Sequence, residues 1–244
     1  MVKSEKHILE IANCPNFKNC EGTPCEKIVK SQNLETRQIP EPYNGNINNC
    51  KLLFISSNPS ISEKEIYPTS EWNEADIIDF FENRFSKESE YVKDFIYPKH
   101  NDGYAINGVK FWIHIRKMAS TLLGTNNAIP GKDYSIMEIV RCKSRNEIGV
   151  DEATKTCSDK YLNQTLAISN ANIIIAIGAK SRNELEKKLK IKLNKGEIIK
   201  KKIGSKERLI FTIPHPASRQ IRKPEKIFTK EELQKIINYT INAS

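Results

Sequence analysis

Four short, mostly apolar runs, at residues 52–55, 134–140, 172–177 and 208–213, limit what this chain can fold into. Each is too brief for a helix and has the composition of a strand buried on both faces. Between and after them lie stretches whose apolar residues recur at helical spacing. Residues 73–85 carry Ile77, Ile78, Phe80, Phe81 and Phe85, and residues 109–123 are rich in apolar side chains and closed by Gly124. Residues 151–169, a Lys-rich stretch at 181–192 and residues 230–241 complete the set. Strands alternating with helices predict one three-layer α/β/α domain over residues 1–244, around a central, mainly parallel four-stranded sheet. A cysteine-bearing segment of about the first 30 residues, with a short helix at 5–12, precedes it.

The first run breaks at Ser56-Ser57-Asn58-Pro59-Ser60, and the last at Pro214-His215-Pro216-Ala217-Ser218-Arg219. In each, proline stiffens a small polar loop at the carboxyl end of a strand, where open α/β sheets place their ligand sites. Alone, either loop could simply end a strand. Together they present one amide and one imidazole from distant parts of the chain. No Gly-x-Gly-x-x-Gly or Walker-type phosphate loop occurs.

The paired motifs Asn58-Pro59-Ser60 and His215-Pro216-Ala217 resemble those of the uracil-DNA glycosylase superfamily, in the same order, and the likeness runs from the first cysteines to about Arg222. The resemblance implies hydrolysis of the N-glycosidic bond of a flipped-out, deaminated base in DNA. Asn58 would orient the attacking water and His215 would donate to the base's O2. Ser57, Pro59 and Ser60 would line the base pocket, and Tyr67, with Trp72 next, is the nearest candidate for an aromatic ring stacked on the base. Ser218, Arg219, Arg222 and Lys223 would grip flanking phosphates. Glu138 falls where the iron–sulfur branch of the superfamily carries an Asn that reads uracil. An ionised carboxylate only accepts hydrogen bonds, so Glu138 suits uracil only if protonated, and could otherwise favour a base with an amino group. Two other readings share these motifs: a non-catalytic nucleic-acid-binding protein on the same fold, and an N-glycosidase acting on nucleosides or nucleotides.

Formal net charge is +9, and between Lys187 and Lys223 thirteen Lys or Arg face two Glu. A block of that kind beside a candidate site suits a polyanion, although a merely solvated face would look the same. At 38% hydrophobic and 28% charged, the chain has no run of about 18 apolar residues and no signal-peptide core near its start. The expectation is a cytoplasmic protein, monomeric by default and not membrane-bound.

Six cysteines without an export signal argue against a disulfide framework. Cys14, Cys20 and Cys25 group near the start, Cys142 and Cys157 lie far along the chain, and Cys50 precedes the first strand as a packed thiol. Two distant clusters can meet as one four-thiolate site, zinc or iron–sulfur, or can remain buried free thiols. The spacing of Cys142 and Cys157 resembles the iron–sulfur branch of the superfamily and implies a 4Fe-4S cluster. The Cys14-x5-Cys20-x4-Cys25 spacing departs from that branch, leaving open which N-terminal thiols take part.

Overall fold

A computed structural model describes residues 3–242. Three helices open the chain: α1 (Lys3–Ala12), α2 (Pro15–Lys18) and α3 (Glu26–Lys30). Strand β1 (Leu52–Ser56) leads to helix α4 (Glu74–Asn83), three short strands β2 (Val92–Lys93), β3 (Tyr97–His100) and β4 (Gly103–Tyr104), and helix α5 (Lys110–Leu123). Strand β5 (Tyr134–Glu138), helix α6 (Val150–Ile168), strand β6 (Ile173–Ile177) and helix α7 (Ala179–Leu189) follow. Strands β7 (Ile199–Ile203) and β8 (Lys206–Ile213) and helices α8 (Pro224–Ile227) and α9 (Lys230–Asn242) complete the order.

The central sheet has five strands in the order β5-β1-β6-β8-β7, one more than expected. Its first four are parallel, and β7 is an antiparallel edge formed by a hairpin with β8. The extra strand, Ile-Lys-Lys-Lys-Ile, has no apolar alternation to announce it. Its lysines instead suit an edge that must not pair with another chain. The turn at Gly204-Ser205 was the legible signal, because a two-residue Gly-Ser link favours a tight hairpin.

Every residue of β1, β5 and β6 is buried. Alternation along the pleat then sorts the side chains into two cores. Leu53, Ile55, Met137, Ile174, Ala176 and Ile210 pack with residues of α1, α4, α6 and α7. Leu52, Phe54, Ile136, Ile175, Phe211 and Ile213 pack with α5 and with Phe228 and Ile236. The N-terminal segment belongs to the first core through Ile8, Ile11, Ile28 and Val29.

Register fixes where the strands stop. Ser56 pairs with Glu138, and Ile177 with Ile213, so the carboxyl ends of all four parallel strands lie level. Because β5 and β6 flank β1, chain direction across the sheet reverses there, which opens a crevice at that end. Beyond the strands, Ile139 and Val140 donate to the carbonyls of Ser56 and Ser57, and Ser144 donates to that of Pro59. The two loops run on as a pair. On the outer side of β5, Asn44 bridges Ile136 and Glu41 donates to the Arg141 carbonyl, so residues 41–44 are drawn to the same end.

The three short strands form a separate small sheet in the order β2-β3-β4. A bridge between Glu65 and His100 ties it to the chain that follows the Asn58 loop.

Candidate active site

Asn58 sits half-buried at the carboxyl end of β1, and its amide is fixed from both sides. Its Nδ2 donates to Ser144 Oγ at 2.8 Å, while Ser57 Oγ donates to Asn58 Oδ1 at 3.1 Å. Nδ2 also donates to the Pro59 carbonyl at 3.2 Å, which assigns oxygen and nitrogen, and Oδ1 can accept once more. Ser57 thus orients the amide rather than lining the crevice, whereas Pro59 and Ser60 do line it.

His215 follows β8 and faces the same crevice. The backbone N–H of Ala217 donates to its Nδ1 at 3.2 Å, so Nδ1 is the acceptor and the neutral ring carries its proton on Nε2. Phe111, in the first turn of α5, stacks on the imidazole at 5.7 Å between centroids and 20° between planes. Burial lowers the proton affinity of His215, opposed by the nearby Glu147 carboxylate, and the net direction keeps the ring neutral. Gly178, after β6, allows this approach: its φ is +85°, and a Cβ there would lie 3.2 Å from that of His215.

The two side chains line one crevice of about 530 Å³, within the usual size of small-ligand pockets. Glu138 lies in the same crevice at the end of β5, 5% exposed, with its Oε2 buried and without a hydrogen-bond partner. Burial raises its pKa well above the carboxylate range, and the charge of Glu41 adds to this, against the pull of Arg141 and a Ser56 hydrogen bond. A neutral carboxyl offers one donor and one acceptor.

Beside Glu138, and lining the same crevice through Glu41, Asn44, Glu65, Arg84 and Lys143, runs a buried charged network that the sequence does not announce. Glu41 accepts from Asn44 Nδ2 at 2.5 Å and from the Tyr67 hydroxyl at 2.9 Å. Arg84 donates to Asn44 Oδ1 at 3.0 Å and pairs with Glu65, which also accepts from Lys143 Nζ at 3.1 Å. Burial opposes the charge on Glu65, but Lys143 and Arg84 together hold its carboxyl below the ordinary range.

Tyr67, expected as a base-stacking ring, lies in this network. It is 3% exposed, packs edge-on against Phe80 and Phe81, lies under the Lys143 ammonium at 3.6 Å, and is not among the crevice-lining side chains. Trp72 packs in the same aromatic group, against Phe80. The rings that do line the crevice are Phe111 and Trp112. Their helix is legible in the sequence only as an apolar-rich stretch, and nothing in the spacing separates a crevice-facing first turn from the buried turns beyond.

The basic block divides in space. Lys200, Lys201 and Lys202 lie along β7 and pair with Leu209, Arg208 and Glu207, in the half of the β8 hairpin away from His215. Arg208 is buried and donates to the carbonyls of Leu166 and Ser169, which makes it a fold residue. Of this block, only the segment after His215 follows directly on a crevice-lining residue. There Ser218 donates its backbone N–H to the His215 carbonyl, Arg222 donates to the Ser218 carbonyl at 2.9 Å, and Arg219 and Lys223 are exposed.

Four thiols from three stretches of chain line one small pocket: Cys14 and Cys25 from the N-terminal segment, Cys142 beyond β5, and Cys157 on α6. Cys20 is buried close by without lining it. Burial is the first cause holding these thiols protonated: Cys142 is raised well above the usual range, Cys157 is pushed up to about 12, and Cys25 is raised, with neighbouring thiols adding to the shift for each. The Arg141 backbone N–H points at Cys157 Sγ at 3.3 Å. Four sulfur donors around one pocket fit a group held by four thiolates, although among the described residues no three His, Cys, Asp or Glu stand ready around a single metal ion. Cys50 lies apart, contacting the Ile47 carbonyl at 3.6 Å, as a packed thiol.

Among the described residues, no helix is long and apolar enough to cross a membrane. A family model described as "Uracil DNA glycosylase superfamily" matches residues 42–240, which takes in both crevice loops and leaves Cys14, Cys20 and Cys25 outside. No curated protein matches the sequence.

Proposed function

This chain belongs to the uracil DNA glycosylase superfamily, and we propose that it hydrolyses the N-glycosidic bond of a deaminated base, uracil or a close relative, flipped out of DNA. The observation that carries this reading is the convergence of the Asn58 amide and the His215 imidazole on one crevice. Glycosidic cleavage puts positive charge on the sugar and negative charge on the departing base. The His215 Nε2–H, held by the Ala217 N–H on the far side of the ring, is a fixed donor for the base's O2 as that charge grows. The free acceptor capacity of Asn58 Oδ1 orients a water towards C1′. An amide is a poor base, but an oxocarbenium-like sugar needs only a positioned nucleophile. Water supplies hydroxide to C1′, and the base leaves with the bonding pair to be protonated afterwards.

Neutral Glu138 reads the base edge with one donor and one acceptor. Its proton can sit on either oxygen, so it can match a carbonyl beside an N–H or an amino group beside a bare nitrogen. Arg219, Arg222 and Lys223 hold the phosphates around the extruded nucleotide. Cys14, Cys25, Cys142 and Cys157 hold a 4Fe-4S cluster, with zinc as the alternative; bound there, it fastens the N-terminal segment to the chain beyond β5. The protein acts as a monomer.

The test is a panel of single- and double-stranded oligonucleotides carrying uracil, hypoxanthine, xanthine or alkylated bases, scored by alkaline scission at abasic sites. Scission on at least one is expected. Tight binding to all with scission on none would assign the chain to the binding class instead. A brown colour with broad visible absorption in anaerobically purified protein, absent from Cys142→Ser, would establish the cluster.

A further inference from the structure

Attack on C1′ leaves one proton to place: water brings hydroxide to the sugar, and the proton it sheds needs an acceptor in the crevice. The Asn58 amide is no base, and His215 has Nδ1 engaged by the Ala217 N–H and its other nitrogen already protonated. Glu138 is held neutral by burial. Glu41 accepts from Asn44 and Tyr67, and Glu65 pairs with Arg84 and Lys143, so both carboxylates are tied. Glu147 also lines the crevice, and among the described residues its carboxylate makes no hydrogen bond or ion pair. It is exposed, and its charge reaches His215.

The backbone brings this carboxylate to the crevice under strain. Asn146 and Glu147 have positive φ, +52° and +59°, a conformation rare outside glycine. Strain of this kind collects at functional sites, where the surrounding fold over-determines it. Ser144 fastens the preceding end: Asn58 donates to its Oγ at 2.8 Å, and its backbone N–H donates to the Pro59 carbonyl. Arg145 donates to the Gln32 carbonyl at 3.2 Å. Gly149 fastens the following end, so close to Ile28 that a Cβ there would lie 2.2 Å from the Ile28 backbone nitrogen. Glu147 thus stands three residues after the side chain that bonds the Asn58 amide.

We propose that Glu147 is the general base of this site and takes the proton of the water that Asn58 orients. This rests on the function proposed above. The water oxygen bonds to C1′ as the C1′–N bond breaks, and the bonding pair leaves with the base. The water's proton passes to Glu147, directly or through one further water, and then to the released base or to solvent, which restores the carboxylate. His100 also lines the crevice, but from β3, where it is bridged to Glu65 and not to the loops of Asn58 or His215.

The test is base release by Glu147→Gly on whichever oligonucleotide of the panel the parent cleaves, with and without added formate. Glycine adopts a positive φ freely, so this variant should melt no lower than the parent. Release is expected to fall about a hundredfold or more, the usual worth of a general base, with affinity for a duplex carrying a stable abasic analogue unchanged. Formate is expected to restore part of the rate to Glu147→Gly and none to Glu147→Gln, whose amide still fills the place. Release at the parent rate by Glu147→Gly would overturn the proposal. So would a loss that formate leaves untouched, which would make Glu147 only a charge that tunes His215, and so would a loss confined to His100→Gln, measured alongside. A parent protein that cleaves no member of the panel would sink the proposed function, and this base with it.

Discussion

At the scale of single residues, two groups in the crevice carry the chemistry in opposite protonation logic. His215 has its Nδ1 occupied as an acceptor, so its usefulness lies in a neutral ring with a fixed Nε2–H. His215→Ala should leave thermal unfolding unchanged and slow base release by about a hundredfold or more, the usual cost of losing such a donor. Base release at the parent rate would remove His215 from the mechanism. Glu138 is an acid whose folded pKa lies above its unfolded value. The folded state therefore keeps a proton that the unfolded chain has lost, and stability declines as pH rises above about 4.5 towards the folded pKa. Glu138→Gln keeps the shape without the titration, so its melting temperature should gain on the parent between about pH 5 and pH 8. Parallel melting curves across that range would mean the carboxyl is not held neutral. The apolar neighbours Ile136, Ile139 and Val140 already suggest a raised pKa for Glu138, whereas nothing beside His215 in sequence gives its tautomer. Glu138 does lie on an edge strand, β5, but residues 41–44 cover the outer side of that strand and Glu138 is buried there.

At the scale of elements, α1 is docked on α6 through one polar contact. His7 Nε2 lies 2.8 Å from Thr165 Oγ1, whose own proton goes to the Tyr161 carbonyl and which also accepts from Arg141. His7 must therefore donate from Nε2, and burial, with the Arg141 charge, lowers its pKa to about 4. Here the folded value lies below the unfolded one, so stability is full above about pH 6.5 and falls as pH drops towards 4, by at most about 3 kcal/mol. Chemical denaturation should show that slope in the parent and a flatter one in His7→Gln. The elements expected from apolar periodicity are present, with Asn73 as the N-cap of α4 and Gly124 in the left-handed conformation after α5. Elements without that periodicity escape it: β7, signalled only by its Gly204-Ser205 turn, the small β2-β3-β4 sheet and the single-turn helices α2, α3 and α8. Their residues are held by partners elsewhere in the chain rather than by a repeating apolar face.

At the scale of the whole molecule, charge is sorted by the sheet. The hairpin carries Lys200, Lys201 and Lys202 towards one end, while Arg219, Arg222 and Lys223 follow the crevice-lining His215 in the chain. Replacing Lys200, Lys201 and Lys202 together by alanine should leave the salt dependence of oligonucleotide binding unchanged. Each of Arg219, Arg222 and Lys223 replaced by alanine should reduce the slope of log affinity against log salt by about 0.9 on duplex DNA. Equal effects from both groups would place nucleic acid along the hairpin edge. The sequence by itself determined the alternating strands and helices, the two proline-braced loops and the two groups of cysteines, because each is a local pattern of residue type and spacing. Tertiary structure alone decided that the loops share a crevice, that Tyr67 is packed away from it while Phe111 faces it, and that four thiols line one pocket. It also decided that the basic block is divided. These follow from strand order and register, which bring together residues scores of positions apart and which no local pattern encodes.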